Sequence, residues 1–402
     1  MTASPLPLTG LRVLAFEQYG AGPFGTQFLA DLGGEVIKVE APGEGDMARS
    51  VGPFFLDAEG ATGASLFYQA FNRNKRSLTL DISRDEGREV LNSLVGRVDA
   101  VACNLRGDVP AKLGLTYETL SLVNPKIVCA FLSAYGREGS RAAWPGYDYL
   151  MQAEAGYFSL TGEADTPPAR MGLSIVDLMT GLGQAFALVS AVLRARETGT
   201  GGDIDISLYD LATFNLGYLA AWYLNTGHAQ QRLPRSAHPS LTPCQLYRTE
   251  DGWIYLMCNK EKFWPILCEL VGHPEWGSDP RFATFSQRLE QRPLIQDMLD
   301  GALAAKTTAQ WLALFGGRVP AAPVLDVKQA LDNPFLAERG GIQDLEHPEA
   351  GAFRLLANPI RVAGVQTPAR PAPELGADTD DLLGELGFDE DGRVRLRKAG
   401  IV

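Results

Sequence analysis

The residue with the strongest claim to chemistry is Asp177, in the run Gly172-Leu173-Ser174-Ile175-Val176-Asp177-Leu178-Met179-Thr180-Gly181. It falls in the first turn of a predicted long helix from about Ile175 to Ala195, where a carboxylate ordinarily serves the helix dipole. Its neighbours offer a second reading. Val176, Leu178 and Met179 are apolar, while Gly181 and Gly183 leave room for a ligand to approach, and a poorly hydrated carboxylate is a better nucleophile than a solvated one. A second constellation is Gly20, Gly22 and Gly25, a GxGxxG run between a predicted strand and a predicted helix, with Glu40 ending the next strand. That spacing matches a dinucleotide site, in which backbone N–H groups hold a pyrophosphate and the acid reads a ribose. Pro23 lacks one of those N–H groups and is also a good helix starter. Two readings stand here: an NAD-type oxidoreductase, or a tight turn lying close to some other ligand.

Three further stretches carry polar chemistry. Asn72-Arg73-Asn74-Lys75-Arg76-Ser77 is a cationic knot; with Arg106 and Lys112 it either neutralises phosphates or forms a solvated turn, and charge alone does not decide. Pro145-Gly146-Tyr147-Asp148-Tyr149 runs into Gln152, Ala153 and Gly156 as a loop dropping into a helix, with Asp148 as a cap. Arg235 and His238 lie in a Gly, Pro, His and Ser stretch that is a linker or a grip for a carboxylic acid, since Arg pairs a carboxylate bidentately.

These residues need a scaffold. At 402 residues, with roughly 150 per domain, the chain predicts two or three compact units. Apolar runs at Leu11–Phe16, Glu35–Val39, Ser77–Leu80, Asp99–Ala102 and Lys126–Leu132 read as buried strands. They alternate with helical spacing at Phe24–Leu32, Ser65–Phe71, Asp85–Val95 and Tyr117–Val123, so the fold class is α/β with a parallel sheet. Tyr209–Leu224 reads as one more helix. Past a linker near Asn225–Pro243, Asp251-Gly252 between two apolar runs predicts a hairpin. Helices at Phe263–Val271, Leu294–Ala305 and Ala309–Phe315 complete a small α+β unit, giving boundaries of 1–224, 225–331 and 332–402. The tail holds several prolines and a helical stretch at Thr379–Leu386.

Charge and sulfur narrow the function classes. Lys and Arg total 36 against 48 Asp and Glu, a net charge of −12, so nucleic acid would bind against the global field. No nucleic-acid or membrane partner is expected. The apolar stretches Ala185–Leu193 and Leu211–Leu224 are short of the roughly 20 residues a bilayer needs. Five cysteines, an odd number with no CxxC spacing, predict neither a disulfide framework nor a metal site. Met1–Gly10 does not read as a secretory signal, and the expected setting is cytoplasmic.

Leu11-Arg12-Val13-Leu14, Ala21-Gly22-Pro23, Leu29-Ala30-Asp31-Leu32-Gly33, Val36-Ile37-Lys38-Val39-Glu40, Gly45-Asp46 and Asn74-Lys75-Arg76-Ser77 together resemble the opening of the class III CoA-transferases. That family includes formyl-CoA transferase and carnitine CoA-transferase, with alpha-methylacyl-CoA racemase as a relative. The similarity continues through Tyr147-Asp148, Gln152-Ala153, Gly156, Asp177, Gly181, Gly199, Gly202 and Asp205. It resumes at Pro243, Asp251-Gly252, Pro280-Arg281-Phe282, Pro320, Pro323-Val324, Gly376 and Thr379.

The resemblance implies a Rossmann-like large domain, completed by the returning 332–402 segment, with a small α+β domain inserted, and an interlocked homodimer. It implies an acyl-CoA:carboxylate CoA-transferase with Asp177 as catalytic nucleophile, coenzyme A or acyl-CoA and a small carboxylic acid as substrates, and no tightly bound cofactor. Coenzyme A contacts carry over to Tyr19, Gly20, Ala21, Leu80, Asn104, Leu105, Arg106, Lys112, Tyr147 and Asp148. Arg73, Lys75 and Arg76 are expected to add positive charge near its phosphates. Racemases of the family use a histidine where this chain has Tyr147, a poor base with an ordinary pKa of ~10, so racemisation is disfavoured. The Arg235–Pro243 segment is shorter than the glycine-rich loop of formyl-CoA transferases, and Ala41 stands where some members have arginine.

Overall fold

The computed structural model describes residues 5–56, 65–363, 365 and 367–402. The chain forms two compact units, one of Met1–Ala155, Met171–Gly217 and Phe335–Val402, the other of Gly156–Arg170 and Tyr218–Pro334. The first unit is built on a parallel sheet of six strands: β1 (Arg12–Phe16), β2 (Glu35–Glu40), β3 (Arg76–Thr79), β4 (Ala100–Cys103), β5 (Val128–Ser133) and β6 (Gly202–Ser207), in the order β3-β2-β1-β4-β5-β6. The order reverses between β1 and β4, and ligands of such sheets bind outside the carboxyl ends of the strands near that point.

Alternation along the strands sorts side chains onto two faces. Leu14, Phe16, Ile37, Val39, Val101 and Phe131 point to one face, where they pack with Val90, Leu91, Leu94 and Val95 of helix α3 (Asp85–Val95). Smaller residues, Ala15, Ala100, Ala102 and Ala130 among them, point to the other, against α1 (Ala21–Asp31) and α5 (Ile175–Thr198). The small side chains let α5 lie close to the sheet. Between these elements lie α2 (Leu66–Asn72) and α4 (Asp148–Glu154).

Helices α1 and α5 approach backbone to backbone. A Cβ on Gly25 would stand 2.2 Å from the Gly181 carbonyl oxygen, and a Cβ on Gly181 would stand 2.2 Å from that of Ala21. Neither position tolerates any side chain without moving backbone. The third glycine of the fingerprint therefore serves helix packing here, while Gly22 faces the Asn104 side chain. Glu40 is likewise committed: its carboxylate pairs with Arg49 at 2.7 Å and accepts from Ser77 at 2.7 Å in the interior.

The structure departs from the sequence reading in several places. Gly202–Ser207 was not anticipated as a strand; its polar–apolar alternation, Asp203, Ile204, Asp205, Ile206, is that of a half-exposed edge. The single helix expected over Tyr209–Leu224 breaks at Asn215–Leu216 into α6 (Leu208–Phe214) and α7 (Gly217–Thr226). Residues 156–170 and 218–224, placed with the large domain by sequence, group with the second unit. The tail forms an unforeseen hairpin, β10 (Ile342–His347) with β11 (Gly351–Leu356), before returning to the sheet. There Asp378 accepts from the Ser77 N–H at 2.9 Å, and Ile401 is fully buried in the α3-side core.

In the second unit the expected hairpin is present, β7 (Cys244–Arg248) with β8 (Trp253–Met257), joined by β9 (Ala321–Pro323). Trp264, Leu267, Phe282, Leu299, Trp311 and Phe315 form its core.

Replacing Gly181 with Ala should destabilise the chain by about 1–3 kcal/mol through overpacking. Gly301→Ala, at an exposed helical position with nothing within 4 Å of the new Cβ, should be neutral or stabilising by up to ~1 kcal/mol. Urea titrations of both variants check the contrast.

Candidate functional site

Asp177 sits where α5 meets the start of α1. Its Oδ2 is 3.4 Å from where a Cβ on Gly20 would lie, so the absence of a side chain there keeps the carboxylate accessible to the turn. Gly20 is the N-cap of α1, and the first N–H groups of a helix have no acceptor within it. The carboxylate thus faces the positive end of a helix in partly buried surroundings.

The start of α5 is capped from elsewhere in the chain. Ser174 occupies the N-cap position, yet its side chain makes no cap bond. Asp148, in the first turn of α4, accepts the Asp177 N–H on Oδ2 at 2.9 Å instead. Asp148 is held in turn by Gln152, whose Nε2 donates to its Oδ1 at 2.5 Å. Burial and then the Asp148 charge raise the Asp177 carboxyl from its ordinary value to about 7. Tyr147, just before α4, is 66% exposed.

The turn between β1 and α1 links Asp177 to a cleft of about 530 Å³ at the carboxyl ends of the strands. Glu17, Gln18, Leu80 and Leu105 line it, with Ala41 and Val109. Asn104 clamps the turn, accepting the Gln18 N–H at 2.8 Å and donating to the Gln18 carbonyl at 2.7 Å. Tyr19 adopts a left-handed backbone, φ 67°, with its N–H accepted by Asp46 at 3.0 Å and its ring against Phe67. Tyr19, Gly20, Ala21, Leu80, Asn104 and Leu105 are thereby brought to one stretch of surface running from the cleft to Asp177. Arg106 and Lys112 flank the lining residues in sequence and both pair with Asp108 at 2.5 Å.

Two groups of predicted cations are elsewhere engaged. Arg73 pairs with Asp31 at 2.7 Å, and Lys75 pairs with Glu17 at 2.7 Å while also donating to the Pro23 carbonyl and to Asn72. Arg76 pairs with Glu35 and Glu385. Burial lowers Lys75 to about 8 despite the Glu17 charge beside it. The knot is an internal brace, because acids distant in sequence fold onto it. In the second unit, Arg235 is half-buried and pairs with Asp300 at 2.5 Å through Nη1. His238 accepts the Ser240 N–H on Nδ1 at 3.1 Å, and burial and Arg292 lower its pKa. Gln152 and Asp46 went unassigned by sequence reasoning; the backbone groups they bind at Met171, Leu173 and Tyr19 are 19 to 27 residues away, beyond the reach of any local pattern.

The raised Asp177 carboxyl has a thermodynamic sign. The folded chain holds this proton more tightly than the unfolded chain, so stability is lost as pH rises from the ordinary carboxylate range through about 7. Asp177→Asn removes that loss. Its melting temperature should exceed the parent's by a few degrees at pH 8, with the gap closing toward pH 4, as read by thermal scans across pH.

The family description CoA-transferase family III matches residues 8–379. A protein of Agrobacterium fabrum named succinate–glutarate CoA-transferase is 33% identical over 390 residues, covering 94% of this chain and 96% of its own. A human protein named succinyl-CoA:glutarate CoA-transferase is 32% identical over 402 residues, covering 98% and 90%. The crystal structure of a CaiB/BaiF family protein from Brucella suis superposes with a TM-score of 0.82 at 34% identity, covering 95% of this chain and 100% of that one. With Asp177 set at the head of the turn and a cleft beside it, these similarities make one conclusion: the chain belongs to CoA-transferase family III and is a CoA-transferase.

Proposed function

We propose that this enzyme moves coenzyme A between small carboxylic acids through covalent intermediates on Asp177. The observation that carries the reading is a desolvated carboxylate whose proton is held to about pH 7, facing the start of α1. An Asp177 oxygen attacks the donor thioester carbon, the C–S bond breaks, and CoA leaves as thiolate, giving a mixed anhydride. The thiolate attacks the Asp177 carbonyl, releasing the donor's acid and forming an aspartyl-CoA thioester. The acceptor carboxylate attacks that thioester, and the returning thiolate takes the acceptor's acyl group, restoring Asp177. Each step exchanges one acyl bond for another, and the α1 N-terminus supplies positive potential where oxyanions develop. The cleft beyond Gln18 takes the nucleotide of CoA, with Arg106 and Lys112 as the cations for its phosphates. The relatives' names make succinyl-CoA and glutarate the first pair to assay.

Asp177→Ala should abolish transfer, by at least about 1,000-fold, and leave no hydroxylamine-sensitive adduct. In the parent, mass spectrometry after incubation with succinyl-CoA should find the adduct on Asp177. Only the carboxylate attacks, so the rate of adduct formation should climb with pH through a midpoint near 7. An adduct elsewhere, or a rate falling across that range, counts against the mechanism.

The reading includes a cytoplasmic, interlocked homodimer with the second unit as its inserted domain. All five cysteines are free and buried, as suits a reducing compartment. The helix α5 has the length and apolarity to cross a membrane, but it carries Asp177 and packs on α1 and the sheet. Its outward row, Met179, Leu182, Phe186 and Leu193, recurs at helical spacing and is exposed, Phe186 by 77%, with Phe214 of α6 exposed by 82%. A solvated helix rarely shows such a row, and a second copy would cover it. Because interlocked chains cannot part once folded, Phe186→Glu should act during assembly, and the variant refolded from urea should run as monomer in light scattering; a dimer recovered in full would place the interface elsewhere.

A further inference from the structure

The chain leaves the first unit after Ala155 and re-enters it at Met171. Residues 171–174 are neither helix nor strand, and α5 starts straight after them. Asp177 is therefore only six residues from re-entry at Met171, and its position depends on what fixes the returning segment. Downstream, the Gly25–Gly181 contact fixes α5 one turn beyond Asp177. Upstream, Gln152 and Asp148 of α4 bond the returning backbone at Met171, Leu173 and Asp177.

Gln152 is fully buried. Its Oε1 accepts the N–H of Met171 at 3.0 Å, and its Nε2 donates to the Leu173 carbonyl at 3.0 Å and to Asp148 Oδ1. Asp148, one turn earlier on the same helix, passes its other oxygen to the Asp177 N–H. One amide thus reads both an N–H and a carbonyl of the returning backbone, two residues apart, and orients the carboxylate that caps α5. A carboxylate side chain at 152 would supply no donor, and an apolar one would bond none of its three partners, of which Asp148 is buried.

We propose that Gln152 is a positioning residue for CoA transfer, setting the register of residues 171–177 so that Asp177 meets the thioester carbon at the head of α1. The inference rests on the reading of Asp177 as the nucleophile. It concerns the reacting geometry and not the nucleotide cleft, so it separates kcat from the KM for acyl-CoA.

The test uses the full-length chain with succinyl-CoA and glutarate. Gln152→Ala should lower kcat by about 100-fold, the scale of an ångström-sized misplacement, with KM for succinyl-CoA within about threefold of the parent on that reasoning. Gln152→Glu should be similarly impaired, because its carboxylate faces that of Asp148. Adding Asp148→Asn to Gln152→Glu reverses the polarity of the side-chain bond while keeping acceptors for the Met171 and Asp177 N–H groups. This pair should recover kcat by about tenfold over Gln152→Glu alone. A Gln152→Ala enzyme with kcat within threefold of the parent overturns the proposal, as does a reversed pair with no recovery. If Gln152→Ala does not fold, the reversed pair decides. Asp177→Ala in the same assay keeps the two claims apart: activity there defeats the nucleophile reading, whereas an inactive Asp177→Ala beside a fully active Gln152→Ala defeats only the role of Gln152.

Discussion

Two helices touch backbone to backbone at Gly25 and Gly181, and the site follows from that contact. It brings the first turn of α5 over the first turn of α1, where a carboxylate meets a helix N-terminus. The sheet face beneath α1 and α5 is alanine-rich for the same reason, since larger side chains at positions 15, 100, 102 and 130 would lift α5 away. Packing and chemistry are thus one design. The close approach strips water from Asp177 and so raises its affinity for a proton, while leaving Gly20 without a side chain to obstruct a ligand.

Beneath the β1–α1 turn lies a polar interior that an acidic chain would not suggest. Lys38 pairs with Asp46 at 2.8 Å and donates to the Glu17 carbonyl at 2.9 Å, and Lys75 takes Glu17 from the other side. Thr26 of α1 adds a hydroxyl to the same carboxylate at 2.7 Å. Such buried pairs add little net stability compared with apolar packing, but breaking one leaves an uncompensated charge. Here they tie β1, β2, α1 and the 72–76 turn into one rigid floor. Tyr19 can hold its left-handed backbone because Asp46, anchored by Lys38, receives its N–H.

Much of this was legible in the sequence wherever the signal was local. Five strands of the sheet, the long helix with Asp177 in its first turn, and the Asp251-Gly252 hairpin all follow from periodicity and turn chemistry. The edge strand Gly202–Ser207 escaped because its aspartates break the apolar run expected of a buried strand. The cations at 73, 75 and 76 misled for a different reason. A charge run shows its sign but not its partners, and Asp31, Glu17 and Glu385 become neighbours only through the fold. Gln152 and Asp148 are the same lesson at the site: an amide and an acid one helical turn apart are ordinary in a sequence, and their meaning comes from the backbone that returns to them.

The tail changes how the enzyme comes into being. Asp31, the partner of Arg73, also receives Asn358; Gln69 and Asn74 bond Ala372 and Arg370; and Ile401 fills the core under α3. A ribosome that has made β1 through α5 has therefore produced Asp177 and its glycines, but a floor still missing its last wall. During synthesis at roughly 5–20 residues per second, that half-built sheet must wait on the order of ten seconds or more for the residues beyond 358. A chain released before them would carry its nucleophile on an unfinished support, so the stretch from Asn358 to Ile401, far in sequence from Asp177, governs whether the active site can form.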